Sequence, residues 1–499
     1  MRKKIGFSCC TFVCDSRYAV APFSTFKKLG IPGPPPWPFV GNLPEISKKP
    51  GQPFLVEKEL AEKYGRVFGY YLGRIPAYMI SDVDLLKQIL VKEFSKFPNR
   101  PLANFGGQGM SSRKGLLQLE DEDWRRIRTT ITPTFSAVKL KQIAPLIHQS
   151  CDTLCKKLEK IAQSGEKVDM WRTYGKFTME VILASAFGVQ VGIQTSDDEL
   201  YTSNAEKLFQ QPGFSFVLMV FPFMRPVLQL VTSLFFHSSA TEAAASAAFI
   251  MKAAEEVLHL RRESGVSQRK DLLELMLRAE VTDKDGKHVS KLSDDEVLAQ
   301  SFTFILAGYE TTSNALAYTT YCLALNPEVQ EKLIEEIDEA VGDKETADYE
   351  TVQNLEYLDM VLCEALRLYP PAFRFGRICS ESCTLNGVHF LKDTMAIVPV
   401  YHLHRDPEYW PDPETFDPER FSPEAKQKRS PYCYLPFGTG PRSCIGMRFA
   451  LIEAKLALVH LLKRFTFQRS AETEVPLQLK AAVTMAPKNG IQVKIISRK

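Results

Sequence analysis

The chain has 499 residues, with 62 Lys and Arg against 59 Asp and Glu and a net charge of +3, too mild a balance to point to nucleic acid as a partner. Hydrophobic residues make up 45% and charged ones 24%, the profile of a globular protein with a large core rather than a disordered chain. The 11 cysteines are an odd number without framework spacing, which argues for a reduced, cytosol-facing environment over a secreted one.

The N-terminus carries Arg2, Lys3 and Lys4 and then an apolar run from Ile5 to Cys14, about ten residues where a membrane span needs roughly 20. Asp15 and Arg17 interrupt it, and no clear cleavage site follows. Residues 1–27 therefore stand apart as an atypical segment, and 28–499 read as one large domain. Dense prolines from Pro32 to Pro38 force extended, semi-rigid backbone. Residues 65–80 alternate as strands do, and Asp82 caps a short helix from Val83 to Lys92. Trp124 and Arg128 share one face of a helix by i, i+4 spacing, and alone they read as a surface cation–π pair. The stretch from Phe214 to Phe236 is the most apolar, but Pro222, Arg225 and Pro226 make it a poor transmembrane helix. Lys284, Asp285 and Gly286 mark an exposed loop.

The longest helix starts at Ser293, where Glu296 completes a capping box, and ends at Asn326–Pro327. Glycine in a helix interior costs about 1 kcal/mol against alanine, so Gly308 serves a purpose there. The small side chains of Ala307 and Gly308 leave room above a flat cofactor, and Glu310 and Thr311 set an acid and a hydroxyl beside that gap. Glu364 and Arg367 form an i, i+3 pair on a helix ending at Pro370–Pro371. Residues 388–400 read as strands of a second small sheet.

Near the end, Cys444 sits in a Gly/Pro-rich loop, 437–446, just before a helix from Met447 to Lys463. The helix N-terminus and Arg442 both favour a thiolate there. Gly440 and Gly446 allow close backbone approach by a flat ligand. No second Cys or His lies at zinc spacing, and no C-x-x-C-H attaches a haem covalently. One thiolate on a planar iron cofactor fits better.

Phe437, Gly440, Arg442, Cys444 and Gly446 match the cysteine-ligand signature F-x-x-G-x-R-x-C-x-G, and through them the chain resembles the cytochrome P-450 superfamily. The resemblance implies a mainly α fold with small β-sheets (α+β), with haem b between the long central helix and the cysteine loop and Cys444 as the metal ligand. It implies propionate contacts from Arg100, Trp124, Arg128 and Arg377, and further cofactor contacts from Arg442, Phe437, Gly440 and Ala307. It makes Glu310 and Thr311 the pair that helps deliver protons during dioxygen chemistry. Arg420 would complete a buried structural network with Glu364 and Arg367. Leu117, Phe304, Ala372 and Phe373 would face a lipophilic small-molecule substrate. The stretch from Phe214 to Phe236 would be a lid that also dips into the membrane, with core packing as the alternative.

The proline-rich segment resembles the hinge that follows the anchor of microsomal relatives, which implies the cytosolic face of the endoplasmic reticulum membrane. No anchor of that length is read here; a truncated or alternative first exon is the expectation and a soluble protein the rival. No flavin or nicotinamide fingerprint is present, so electrons would come from a flavoprotein cytochrome P-450 reductase, with cytochrome b5 as a second donor. Arg125, Arg126, Lys139, Lys428, Arg429 and Arg448 are candidates for the basic surface that steers it.

Within the superfamily, residues 307–313 and 447–450 resemble the vertebrate family 3 drug and steroid oxidases. Residues 369–377, 423–426 and 487–490 resemble thromboxane synthase, which rearranges an endoperoxide and needs neither dioxygen nor reductase. An isomerase has no use for proton delivery, and this chain keeps Glu310 and Thr311, so the reading is monooxygenase. A non-catalytic haem sensor and a metal protein without haem are the more distant alternatives.

Overall fold

A computed structural model describes residues 20–101, 114–196, 199–209, 239–263, 271–282, 288–344 and 346–498. The segment 1–19, the apolar stretch 214–236 and the loop at 284–286 lie outside the described residues. The chain is mainly helical with small sheets. It divides into two compact units: residues up to Pro101 together with Arg374–Leu403 belong to the first, and the described residues of 114–373 and 404–498 to the second.

In the first unit, helix α1 (Pro53–Tyr64) packs near a hairpin of β1 (Val67–Leu72) and β2 (Ile75–Ile80), in which Val67 stands opposite Ile80. Strands β3 (Phe375–Ile378) and β4 (Met395–Val398) complete a four-stranded sheet in the order β1-β2-β4-β3. Residues 388–400 were expected to form a second sheet. Instead β4 pairs in parallel with β2, while Val388–Phe390 pairs separately with Cys383–Leu385. Such a long crossover leaves no local signature, which is why spacing alone misassigns it. Phe68, Tyr70 and Met79 of the hairpin, Val56 and Leu60 of α1, and Met395 and Ile397 of β4 share one core. Each such side chain gains about 1.5–3 kcal/mol by full burial. Asp82 accepts from the Leu85 N–H at 2.8 Å and caps the turn Val83–Lys87, which continues as a π-helical turn Gln88–Lys92.

The second unit contains α2 (Asp121–Ile131), α3 (Ala137–Ser164), α4 (Met170–Phe187), α5 (Asp294–Leu325), α6 (Glu356–Leu368) and α7 (Met447–Leu462). Its later strands are β5 (Phe465–Arg469), β6 (Leu479–Ala481), β7 (Met485–Pro487) and β8 (Gln492–Ser497), with β5 paired to β8 and β6 to β7. Helix α5 has 32 residues, and its start is a full capping box: Ser293 Oγ accepts from the Glu296 N–H at 3.3 Å and Glu296 Oε2 from the Ser293 N–H at 2.9 Å. Two reciprocal bonds satisfy two of the donors a helix start leaves open. α5 packs against α4 and α7, and α7 packs in turn on α3.

Gly308 corrects an expectation. A Cβ placed there would lie 2.9 Å from Ile182 Cδ1 and 3.2 Å from Cγ1, so this glycine lets α4 and α5 approach closely. It does not hold space for a flat ligand. No helix among the described residues is long and apolar enough to cross a membrane.

Candidate haem site

The cysteine loop is shaped by its own backbone. The Gly438 N–H donates to Leu435 O at 3.1 Å, the Ser443 N–H to Gly440 O at 3.0 Å, and the Cys444 N–H to Phe437 O at 2.9 Å. Gly438 and Gly440 adopt φ of +66° and +74°, the left-handed region that side chains disfavour. Cys444 is the one exposed thiol among the described free cysteines, and it lies just ahead of α7. At Gly446 a Cβ would meet nothing within 4 Å, so that side of the loop is open.

Helix α2 grips this loop through the face that Trp124 and Arg128 share. The Arg442 guanidinium lies 4.0 Å over the Trp124 ring, and its Nη2 donates to Leu119 O at 2.9 Å. Arg128 Nη1 donates to Ser443 O at 3.0 Å. Read alone, Trp124 and Arg128 resembled a surface pair; instead Trp124 is 5% exposed and takes its cation from the loop. Burial lowers the pKa of Arg128, and the nearby Cys444 sulfur opposes that shift.

On α5 most residues around Ala307 are buried, yet Ala307 itself is exposed and Thr303, Thr311 and Ala315 are half-buried. These four recur at i+4 and form an open stripe of short side chains. Thr311 Oγ1 donates to Ala307 O at 2.6 Å, which folds its hydroxyl back against the helix. Glu310 does not share that face. It is 7% exposed and accepts a hydrogen bond from Thr484 Oγ1 in the β6–β7 turn. Burial pushes its pKa up to about 7, against the pull of the Thr484 hydroxyl. The expected acid and hydroxyl beside one gap are thus adjacent in sequence and turned apart.

Glu364, Arg367 and Arg420 come together. Arg367 grips Glu364 with two bonds of 2.6 and 2.8 Å, both side chains being fully buried, and Arg420 Nε lies 3.5 Å from Glu364 Oε1. Burial raises the Glu364 pKa, and Arg367 is the first of the groups that oppose it. Arg367 also donates to the carbonyls of His404, Pro413 and Thr415. His404 then accepts from the Leu435 N–H at 2.8 Å, which ties the network to the start of the cysteine loop.

In the first unit, the Asn99–Ile378 bridge sets Arg100 alongside Arg377, whose side chain is 2% exposed. Among the expected substrate residues, Phe304 is buried edge-on against Phe135 at 5.4 Å, Phe373 is buried, and Leu117 and Ala372 are half-buried. The Leu116 N–H donates to Gln300 Oε1 at 2.7 Å, which docks the segment carrying Leu117 on α5. Of the basic residues, Arg126 is held by Glu296 and Arg429 lies 3.9 Å over Trp410, so neither is a free surface charge. Arg125, Lys428 and Arg448 are exposed, Arg125 with Glu122 3.2 Å away, and Lys139 is half-buried. Residue spacing did not reveal Thr484, His404 or Trp410 as parts of the site. Thr484 is 174 positions from its partner, and nothing local marks it.

This donor set can be tested against a haem. Among the described residues it offers one exposed thiol, an open stripe of small residues on the longest helix, and no group of three or more metal-ligating side chains. A planar iron cofactor with a single protein sulfur fits; a tetrahedral metal site does not.

Comparison with known proteins agrees. A family model described as Cytochrome P450 matches residues 31–495. The chain is 40% identical to Cytochrome P450 3A41 of Mus musculus over 486 residues, 97% of this chain and 94% of that protein. It is 41% identical to Cytochrome P450 3A2 of Rattus norvegicus over 95% and 92%, and 41% identical to Cytochrome P450 3A29 of Sus scrofa over 96% and 94%. This chain therefore belongs to the cytochrome P450 family, among the family 3 haem-thiolate monooxygenases.

Proposed function

We propose that this cytochrome P450 inserts one oxygen atom of dioxygen into lipophilic substrates of the steroid, fatty acid or xenobiotic class. Electrons would come from a flavoprotein reductase, with cytochrome b5 as a second donor, at the cytosolic face of the endoplasmic reticulum membrane. The bound haem supplies dioxygen activation, which an electron-donating cysteine ligand favours in this enzyme class.

The protein's own residues take the remaining roles. Cys444 is the sulfur ligand, and Arg128, Trp124 and Arg442 hold the loop that presents it. Arg100, Arg377, Trp124 and Arg128 would each neutralise or bond a propionate of the bound haem. The small residues at Ala307 and Thr311 leave one face of α5 open. Glu310, from its buried side of α5, and Thr311, on the open stripe, are the two groups assigned to proton delivery. The exposed Arg125, Lys428 and Arg448 are compatible with an acidic redox partner.

The observation that carries the reading is Glu310, a carboxyl buried on the long helix and bonded by the Thr484 hydroxyl; burial pushes its pKa up to about 7. Such a group holds and releases a proton at neutral pH, which oxygen insertion requires and endoperoxide rearrangement does not.

The test sets testosterone with reductase, NADPH and dioxygen beside a prostaglandin endoperoxide without reductase. Hydroxylated steroid is expected from the first. Rearranged product from the endoperoxide, with none from the steroid, would replace oxygenase by isomerase. Cys444→Ser is expected to abolish the thiolate-type absorption of the ferrous–carbonyl complex.

A further inference from the structure

The β6–β7 turn is clamped to α5 from several sides. The Met485 carbonyl accepts from Asn314 Nδ2 at 3.0 Å and from the Tyr318 hydroxyl at 2.8 Å, and the Met485 N–H donates to Pro371 O at 2.8 Å. Asn314 is itself fixed, because Trp171 Nε1 donates to its Oδ1 at 2.6 Å. This clamp leaves the preceding residue, Thr484, little choice of position. Thr484 is 8% exposed, and its Oγ1–H donates to Glu310 Oε1. The other carboxyl oxygen, Oε2, is buried and has no hydrogen-bond partner among the described residues.

A threonine hydroxyl has one proton to donate. While it is committed to Oε1, a proton bound by Glu310 sits on Oε2. We propose that Thr484 is a positioning residue for proton delivery: it locks the Glu310 carboxyl in one orientation and makes Oε2 the oxygen that carries the transferable proton. This rests on the reading of Glu310 as a proton donor and adds the residue that sets its direction. The other groups facing Glu310 are Glu206 on the helix Leu200–Phe209, Lys480 on β6, and Asn314, Tyr309 and Tyr318 on α5 itself. Glu206 disfavours the carboxylate, while Lys480 and a weaker side-chain contribution from Asn314 favour it. Of these groups, Thr484 is the one whose hydroxyl proton rests on the carboxyl.

The experiment compares haem-loaded wild type, Thr484→Val, Thr484→Ser and Glu310→Gln. Infrared difference spectra follow the protonated-carboxyl stretch as pH is varied, and Glu310→Gln identifies the band by its loss. A hydrogen bond from Thr484 favours the charged form, so its removal raises the midpoint. The Thr484→Val midpoint is expected to rise by about one pH unit, roughly the size of one hydrogen bond. Thr484→Ser, which keeps the donor, is expected to restore it. With reductase and testosterone, Thr484→Val is expected to release several-fold more hydrogen peroxide per NADPH consumed, with serine again restoring wild-type behaviour. An unmoved band and midpoint in Thr484→Val, while Glu310→Gln still raises peroxide release, would overturn this inference alone. Wild-type coupling in Glu310→Gln would remove the proton-donor reading, and this inference with it.

Discussion

Arg442 stacks its guanidinium 4.0 Å above the ring of Trp124 and donates to the Leu119 carbonyl at 2.9 Å, so a residue two positions before Cys444 is anchored to the helix that also holds Ser443. The planar guanidinium does both at once: its face meets the ring and its edge meets the carbonyl. The loop's position therefore depends on a contact between residues more than 300 positions apart.

Arg442→Lys keeps the charge and loses the plane. A buried cation–π contact contributes about 2 kcal/mol, and an ammonium recovers only part of it. The variant is expected to unfold about 1–2 kcal/mol earlier in urea and to lose haem faster during gel filtration. An unchanged denaturation midpoint with full haem retention would show that Trp124 needs no planar partner.

The Glu364–Arg367 pair is fully buried and doubly bonded. Removing one partner strands the other charge, at a cost of about 3–5 kcal/mol. Glu364→Gln and Arg367→Leu are each expected to abolish cooperative unfolding or to lower stability by that amount. The double variant removes both charges of the pair and leaves Arg420 with Asp417, at 3.9 Å, so it is expected to be less damaging than the two single losses added together. A strictly additive double variant, measured by urea denaturation, would argue that the pair is not the unit of stabilisation.

Local chemistry was legible in the sequence. The capping box at Ser293 and Glu296, the Asp82 cap and the i, i+3 pairing of Glu364 with Arg367 each depend on residues within one helical turn. What was not legible was which way a side chain turns once helices pack. Glu310 and Thr311 are neighbours in sequence, yet α5 sends one toward Thr484 and leaves the other on the open stripe. Gly308 suggested a space for cofactor and proved to be a contact with Ile182. Residues 388–400 have the composition of strands, but Met395–Val398 pairs in parallel with a strand far upstream while Val388–Phe390 pairs with Cys383–Leu385. Periodicity reports burial, and packing decides against what.

At Gly308 two effects of similar size compete. Replacing glycine by alanine inside a helix gains about 1 kcal/mol, but here the new methyl would press on Ile182 Cδ1 at 2.9 Å. Gly308→Ala alone is expected to be neutral or destabilising by about 1 kcal/mol. Ile182→Val removes the offending methyl and alone costs about 0.5–1.5 kcal/mol. Together the two are expected to be about 1 kcal/mol more stable than their sum. Additivity in the double-mutant cycle would mean that the helices have room to separate.

Two buried histidines make the fold sensitive to acid. His404 accepts the Leu435 N–H at 2.8 Å, which needs its neutral ring, and His460 Nε2 lies 2.8 Å from His148 Nδ1, a contact with room for one proton. Burial, then neighbouring positive groups, push both pKa values down to about 3; these neighbours are Arg367 and Arg405 for His404, and His148 and Arg464 for His460. Asp152 lies 3.5 Å from His460 Nδ1 and does not offset this. In the unfolded chain the same side chains take up protons near pH 6.5. Below that pH the unfolded state therefore binds more protons, and stability falls as pH drops from about 6.5 toward 3. The slope is about 1.4 kcal/mol per pH unit for each histidine, so together they cost roughly 4 kcal/mol by pH 5. Urea midpoints at pH 7 and pH 5 measure the loss. His404→Gln, whose amide oxygen can still accept from Leu435, is expected to lose about half as much through this route. If its midpoint fell as far as the wild type's on acidification, the cause would lie in other groups.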